Sequence, residues 1–186
     1  DCDGNGLADH LDLASGSEDC DGDERLDACQ LVDPSTDWNG DGVLDACVSA
    51  IYCGGGVNST GGVASIVVTG SPVVADDDLT LEAAGLPPGQ WSFFLLSQSQ
   101  ALVPGFGGSQ GVLCLGAPIV RLDRVALGEL GQVTSAGTRS VAVDLSGLPQ
   151  GTQLLPGESW SFQLWFRDAN PQPTSNTSDA TAVLFR

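Results

Sequence analysis

A twelve-residue pattern occurs three times at the start of the chain: DCDGNGLADHLD from Asp1, DCDGDERLDACQ from Asp19 and DWNGDGVLDACV from Asp37. The starts are 18 residues apart both times, so the segment is a repeat array in which each unit leans on its neighbours. The first unit has only Leu7 and Leu11 to bury, while its acidic side chains repel one another at neutral pH. Residues 1–47 hold fourteen of the 24 acidic side chains against Arg25 alone, a net −13 out of a total of −18. The ten remaining acids share residues 48–186 with five arginines, so composition changes abruptly near Cys47. That change divides the chain into residues 1–48 and 49–186.

A segment this acidic needs cations. Calcium is a hard ion that takes about 6–8 oxygen ligands in flexible geometry, and a twelve-residue loop with oxygens at alternate positions wraps it. The first loop offers the side chains of Asp1, Asp3, Asn5 and Asp12, the backbone carbonyl of Leu7, and Asp9 directly or through water. The second offers Asp19, Asp21, Asp23 and Asp27 with the Arg25 carbonyl. The third offers Asp37, Asn39, Asp41 and Asp45 with the Val43 carbonyl. Glycine at the sixth position permits the tight turn at Gly6 and Gly42, whereas the second loop has Glu24 there. Position twelve is Gln30 in the second loop and Val48 in the third. The first site is therefore expected to be complete. The other two are expected to borrow from Asp33, a neighbouring repeat, the following domain or water, for about three ions in all.

The array resembles thrombospondin type 3 repeats and, more distantly, dockerin and EF-hand loops. The stretches LASGSE and LVDPST are too short and too rich in breakers to be the long flanking helices of an EF-hand. The resemblance implies a row of calcium ions cross-linked by disulfides, with calcium in a structural role. Within the 18-residue repeat the cysteines occupy position two (Cys2, Cys20) and position eleven (Cys29, Cys47). Bonding each position two to position eleven of the following repeat gives Cys2–Cys29 and Cys20–Cys47. Cys2–Cys20 with Cys29–Cys47 also uses every thiol. Cys53 and Cys114 remain and are expected to pair. Zinc is a poor fit, since there are no closely spaced cysteine pairs and only one histidine. Six paired cysteines point to an oxidising compartment, extracellular or at the cell surface. The chain begins on the first ligand of a repeat and reads as a processed or excised segment of a secreted precursor.

From Ile51 onward the pattern alternates with period two, broken by Gly, Pro, Ser and Asn. Eight strands are predicted, over 64–70, 78–86, 90–98, 111–116, 119–127, 139–147, 159–168 and 180–186. The fold class is mostly β: an irregular calcium-loop array stapled by disulfides, then an antiparallel β-sandwich of jelly-roll or Ig-like type. In SWSFQLWFRD, Trp160, Phe162, Leu164 and Phe166 share one face, and Ser161, Gln163, Trp165 and Arg167 the other. The segments YC at Tyr52, LCLG at Leu113, WFRD and TSDA resemble a C-terminal β domain of secreted environmental-bacterial proteins, which implies secretion and this architecture.

Catalysis is not expected. The sole histidine, His10, lies inside a cation loop, Asp76–Asp78 reads as a solvated turn, and CGGGVNSTGG lacks the lysine and helix of a phosphate loop and reads as a linker or turn. An acidic surface excludes nucleic acid, and no apolar run approaches the roughly 20 residues of a membrane helix. Asn58-Ser59-Thr60 and Asn176-Thr177-Ser178 fit the glycosylation sequon. The expected function is a calcium-stabilised extracellular structural protein. Copies of the chain would add head-to-tail in a cell-surface or biofilm-matrix fibre, with Asp76–Asp78, Asp168 and Asp179 helping neighbouring loops. The alternatives are a carbohydrate- or surface-binding module, with Trp165 and then Trp38 as sugar platforms for a polysaccharide, and a monomeric tail domain of a larger secreted protein.

Overall fold

The computed structural model describes residues 1–20, 23–33, 36–37, 42, 44, 47–122 and 131–186. Two units emerge, Asp1–Val48 and Ser49–Arg186. In the first, α1 (Asp9–Ser15) and α2 (Asp27–Gln30) both begin at position nine of their repeat. Gly16, at φ 99°, ends α1 by donating its amide to Leu13. Leu26, Leu44 and Val48 are buried, but Leu7 and Leu11 are each 49% exposed, so the first loop is not held by an apolar core. Covalent bonds hold it. Cys2 is joined to Cys29 and Cys20 to Cys47, with Cα–Cα distances of 5.7 and 5.6 Å. These are the bonds from position two to position eleven of the next repeat.

The second unit has eleven strands among the described residues. They are β1 (Ala50–Cys53), β2 (Ser65–Gly70), β3 (Leu79–Ala84), β4 (Trp91–Ser97), β5 (Gln100–Pro104), β6 (Val112–Leu115), β7 (Val120–Arg121), β8 (Gly131–Gln132), β9 (Arg139–Val143), β10 (Ser159–Ala169) and β11 (Pro173–Leu184). One antiparallel sheet runs β1-β11-β10-β4-β7, with β8 also pairing β4; a second runs β2-β3-β9; β5 and β6 form a third. Period-two burial makes the core. Ile66 and Val68 of β2, Leu79, Leu81 and Ala83 of β3, and Phe162, Leu164 and Phe166 of β10 are all buried. Leu164 lies opposite Phe94 and Phe162 opposite Leu96, so these alternating side chains form one continuous apolar face of the large sheet. Burying each of them fully contributes about 1.5–3 kcal/mol.

The other face of β10 departs from the polar surface that alternation suggests. Ser161 and Gln163 are buried, and Leu95 packs with Leu113 and Leu115 of β6. Gln163 accepts the Cys114 amide at 2.9 Å and donates to the carbonyls of Val112 and Ser178, both at 2.9 Å. Cys53 and Cys114 are bonded across 6.3 Å between Cα atoms, beside buried Ala180.

Several expectations need correcting. β1, β5 and β8 were not foreseen, and β11 starts at Pro173, where only 180–186 was predicted as strand. Within 119–127, strand pairing covers Val120–Arg121, and residues 123–130 lie outside the described residues. Of the two readings of CGGGVNSTGG, linker or turn, the turn is the one seen: the Gly61 amide donates to the Asn58 carbonyl at 2.9 Å, and Asn58, 1% exposed, donates to the Gly85 carbonyl at 2.8 Å. A Cβ on Gly55 would stand 2.8 Å from the Asp179 amide nitrogen, so glycine is required there by the approach of β11.

Candidate metal centre

The loop backbone is set by its own acidic side chains. Position one accepts the amide of position six in all three repeats: Gly6 to Asp1 Oδ2 at 3.2 Å, Glu24 to Asp19 Oδ2 at 3.2 Å, and Gly42 to Asp37 Oδ2 at 2.9 Å. Position five accepts the amide of position seven, Leu7 to Asn5 Oδ1 at 2.8 Å and Arg25 to Asp23 Oδ1 at 2.9 Å. Position six is left-handed throughout, with φ of 89° at Gly6, 67° at Glu24 and 79° at Gly42. Glu24 thus adopts the glycine conformation, and the second loop turns as the others do.

Position twelve gives the sharpest indication of a missing partner. Asp12 is 2% exposed; its Oδ1 accepts from Asn5 Nδ2 at 2.8 Å, while its Oδ2 has no partner among the described residues. Asn5 Nδ2 also donates to Asp3 Oδ2 at 2.9 Å, so the Asn5 amide draws two carboxylates together. A buried carboxylate oxygen without a partner is costly, and a cation relieves that cost. The donors are all oxygen, the set that suits a hard divalent ion. Asp1, Asp3, Asn5 and Asp12 fit calcium on this ground. In the second loop Gln30 stands at position twelve, 7% exposed, and Val48 stands there in the third, 4% exposed.

Position nine has a use that the spacing does not show. Asp9 Oδ1 accepts the Cys2 amide at 2.8 Å and lies 2.9 Å from the amino terminus, and these hold its carboxyl below the usual range. Asp27 accepts the Cys20 amide in the same way, at 3.0 and 3.3 Å. Each carboxylate sits beside a disulfide, as the groups Cys2–Asp9–Cys29 and Cys20–Asp27–Cys47. The sulfurs are bonded to each other and are not thiolates, so neither group is a zinc-type site. Sequence spacing alone places Asp9 and Asp27 in the ion shell; the structure also gives them the task of fixing the cysteine backbone. Asp21, Asn39, Asp41, Val43 and Asp45, with Trp38, lie outside the described residues.

Of the acids expected to help neighbouring loops, Asp76, Asp77, Asp168 and Asp179 are engaged within the β unit. Asp168 is 4% exposed and accepts the amides of Ser59 and Ala169. Asp179 accepts the Ile66 amide at 2.6 Å, and burial pushes its carboxyl up against the effect of that bond. Asp77 accepts the Leu145 amide at 2.6 Å and Asp76 the Ser71 hydroxyl at 2.6 Å. Both sequon asparagines are buried too, Asn58 at 1% and Asn176 at 0% exposure, with their amide nitrogens donating to Gly85 and Val57. The folded unit therefore offers neither for glycosylation.

Trp165 is half-buried and stacks on Phe93 of β4 with ring centroids 4.6 Å apart. Arg121 lies over the Phe93 ring at 3.6 Å and Arg167 over Trp165 at 5.2 Å. Phe93, Trp165 and Arg167 border a depression of about 450 Å³ that Phe106 and Leu113 also line, and Trp91 beside it is 46% exposed. Alternation in QWSFFLLSQ places Trp91 and Phe93 on one face, but the strand pairing of Phe93 with Trp165 has no local sequence signal. Comparison of the chain with protein-family models, with curated proteins and with solved structures finds no match.

Proposed function

We propose that this chain is a calcium-stabilised extracellular structural protein, a repeating subunit of a cell-surface or matrix fibre. The observation that carries the calcium reading is Asp12, buried beside Asn5 and Asp3 with one carboxylate oxygen unpartnered among the described residues. A bound calcium ion would neutralise the loop and fix its turn. Asp1, Asp3, Asn5 and Asp12 would hold it in the first repeat, and the second and third repeats carry the same turn bonds. Three disulfides suit an oxidising, extracellular setting, and no helix among the described residues is long and apolar enough to cross a membrane. In this reading the β unit is a sandwich of jelly-roll or Ig-like type that supplies the contacts. Its edge strand β1 carries exposed Ile51, and an open strand edge is a template for pairing with another copy. A head-to-tail contact that does not close on itself yields a filament.

Light scattering and electron micrographs at millimolar calcium, with and without chelator, test this. Filaments that shorten or dissolve on chelation are expected. A monodisperse monomer at every calcium level would overturn the fibre and leave a monomeric tail domain of a larger secreted protein. A second reading, a carbohydrate-binding module, is favoured by the open aromatic face at Trp91, Phe93 and Trp165. A glycan array on the wild type and on Trp165→Ala tests it, with loss of a specific signal as the supporting result.

A further inference from the structure

We infer that Gln30 is the closing ligand of the second loop, so that this repeat holds a hard divalent cation on its own residues. The inference rests on the calcium reading above and names a ligand that charge alone does not reveal. Gln30 follows Asp19 by the same eleven residues that separate Asp12 from Asp1. Both side chains are more than nine-tenths buried, and each has one oxygen with no partner among the described residues, Oδ2 of Asp12 and Oε1 of Gln30. Both bond to position five of their own loop: Asn5 Nδ2 donates to Asp12 Oδ1 at 2.8 Å, and Gln30 Nε2 donates to Asp23 Oδ2 at 3.0 Å.

The two loops use the same pair of groups with the places exchanged. The first has the carboxamide at five and the carboxylate at twelve, and the second the reverse. Ligand charge is conserved by the exchange: Asp1, Asp3 and Asp12 in the first loop answer to Asp19, Asp21 and Asp23 in the second. A carboxamide oxygen is a neutral hard donor of the kind calcium accepts. The unpartnered Oε1 is the donor the side chain offers, while Nε2 stays on Asp23. Nothing need be borrowed from Asp33 or from another domain. The third loop differs, because buried Val48 has no donor at this position.

The test is calorimetric titration of the whole, disulfide-intact chain with calcium, for the wild type, Asp12→Ala, Gln30→Leu and Gln30→Glu. Gln30→Leu is expected to lose one ion, as Asp12→Ala does, and the double variant two. Gln30→Glu adds a charged ligand without altering shape, and is expected to tighten one site by about tenfold. It decides the matter if Gln30→Leu fails to fold. If Gln30→Leu binds as many ions as the wild type, or Gln30→Glu leaves every affinity unchanged, Gln30 is not a ligand although the chain binds calcium. If the wild type binds no calcium, the calcium reading itself is overturned and the inference falls with it.

Discussion

Glu24 holds a backbone conformation that its side chain opposes. At φ 67° it matches Gly6 and Gly42 in the other repeats, and a residue with a Cβ pays about 1–2 kcal/mol for the left-handed region. Glycine would remove that strain but lose about 0.5–1 kcal/mol through its freer unfolded chain. Glu24→Gly is therefore expected to stabilise the first unit by about 0.5–1 kcal/mol, read as a shift in its denaturant midpoint; a destabilisation would show that the Glu24 side chain contributes something the backbone does not reveal. Asp179 illustrates a different conflict. Burial raises its carboxyl pKa, so the folded β unit prefers the protonated form, and the stability this group lends in acid is lost as pH rises through the raised value. Asp179→Asn keeps an oxygen to accept the Ile66 amide and removes the charge. It is expected to raise the denaturation midpoint at pH 7, with the gap closing as pH falls through the raised value and below the ordinary aspartate value of about 3.9, where the carboxyl is protonated in folded and unfolded chain alike. A gap independent of pH would exclude the charge as its cause.

At the scale of the elements, β10 is tied to its neighbours by one polar side chain as much as by apolar ones. Gln163 satisfies three backbone groups, on Cys114, Val112 and Ser178, at 0% exposure. Gln163→Leu retains volume and takes the side-chain partner from the Cys114 amide and the Ser178 carbonyl, while Val112 keeps the Thr177 hydroxyl, so at about 1–3 kcal/mol for each group a loss of about 2–6 kcal/mol is expected in chemical denaturation. A loss below about 0.5 kcal/mol would mean that water replaces it. The same contacts explain what the sequence hides. Strands with apolar alternation, such as β2, β3 and β10, are legible because their signal is local. The first half of β11 reads PTSNTSD and carries no such signal, yet Ser175, Asn176, Thr177 and Ser178 are buried. Each finds a distant or backbone partner: Asn176 donates to Val57, Thr177 to Val112, and Ser178 accepts from Leu164. Pairing over such separations overrides local propensity. In the loops the repeat and its oxygen spacing are legible in the sequence, and of the two cysteine pairings it leaves open the structure has Cys2–Cys29 with Cys20–Cys47. The role proposed for Gln30 is not legible there, since a neutral residue at position twelve looks like a gap until its burial is known.

At the scale of the whole molecule, the two units depend on different forces and should respond to different conditions. The β unit has a large apolar core, including Phe94, Phe162, Phe166 and Phe185 at under 2% exposure. The first unit has three buried apolar side chains among its described residues, two disulfides and a large uncompensated charge. Each of those disulfides spans 27 residues and by the chain-entropy estimate is worth about 3.5 kcal/mol, though the two loops overlap and their effects do not add. On the calcium reading proposed above, bound ions would supply the rest by mass action, about 2.7 kcal/mol for each site at a free concentration of 100 times its Kd. Residue-resolved amide exchange over a calcium titration should therefore separate the units. Protection in α1 and α2 is expected to rise about 100-fold per site on reaching that concentration, while protection in β4 and β10 stays constant. Reduction of the disulfides should abolish protection in α1 and α2 even at saturating calcium, because the open chain costs more to order than the ions return. If β10 followed calcium in step with α1, the chain would unfold as one cooperative body and the division of labour between ions and core would be wrong.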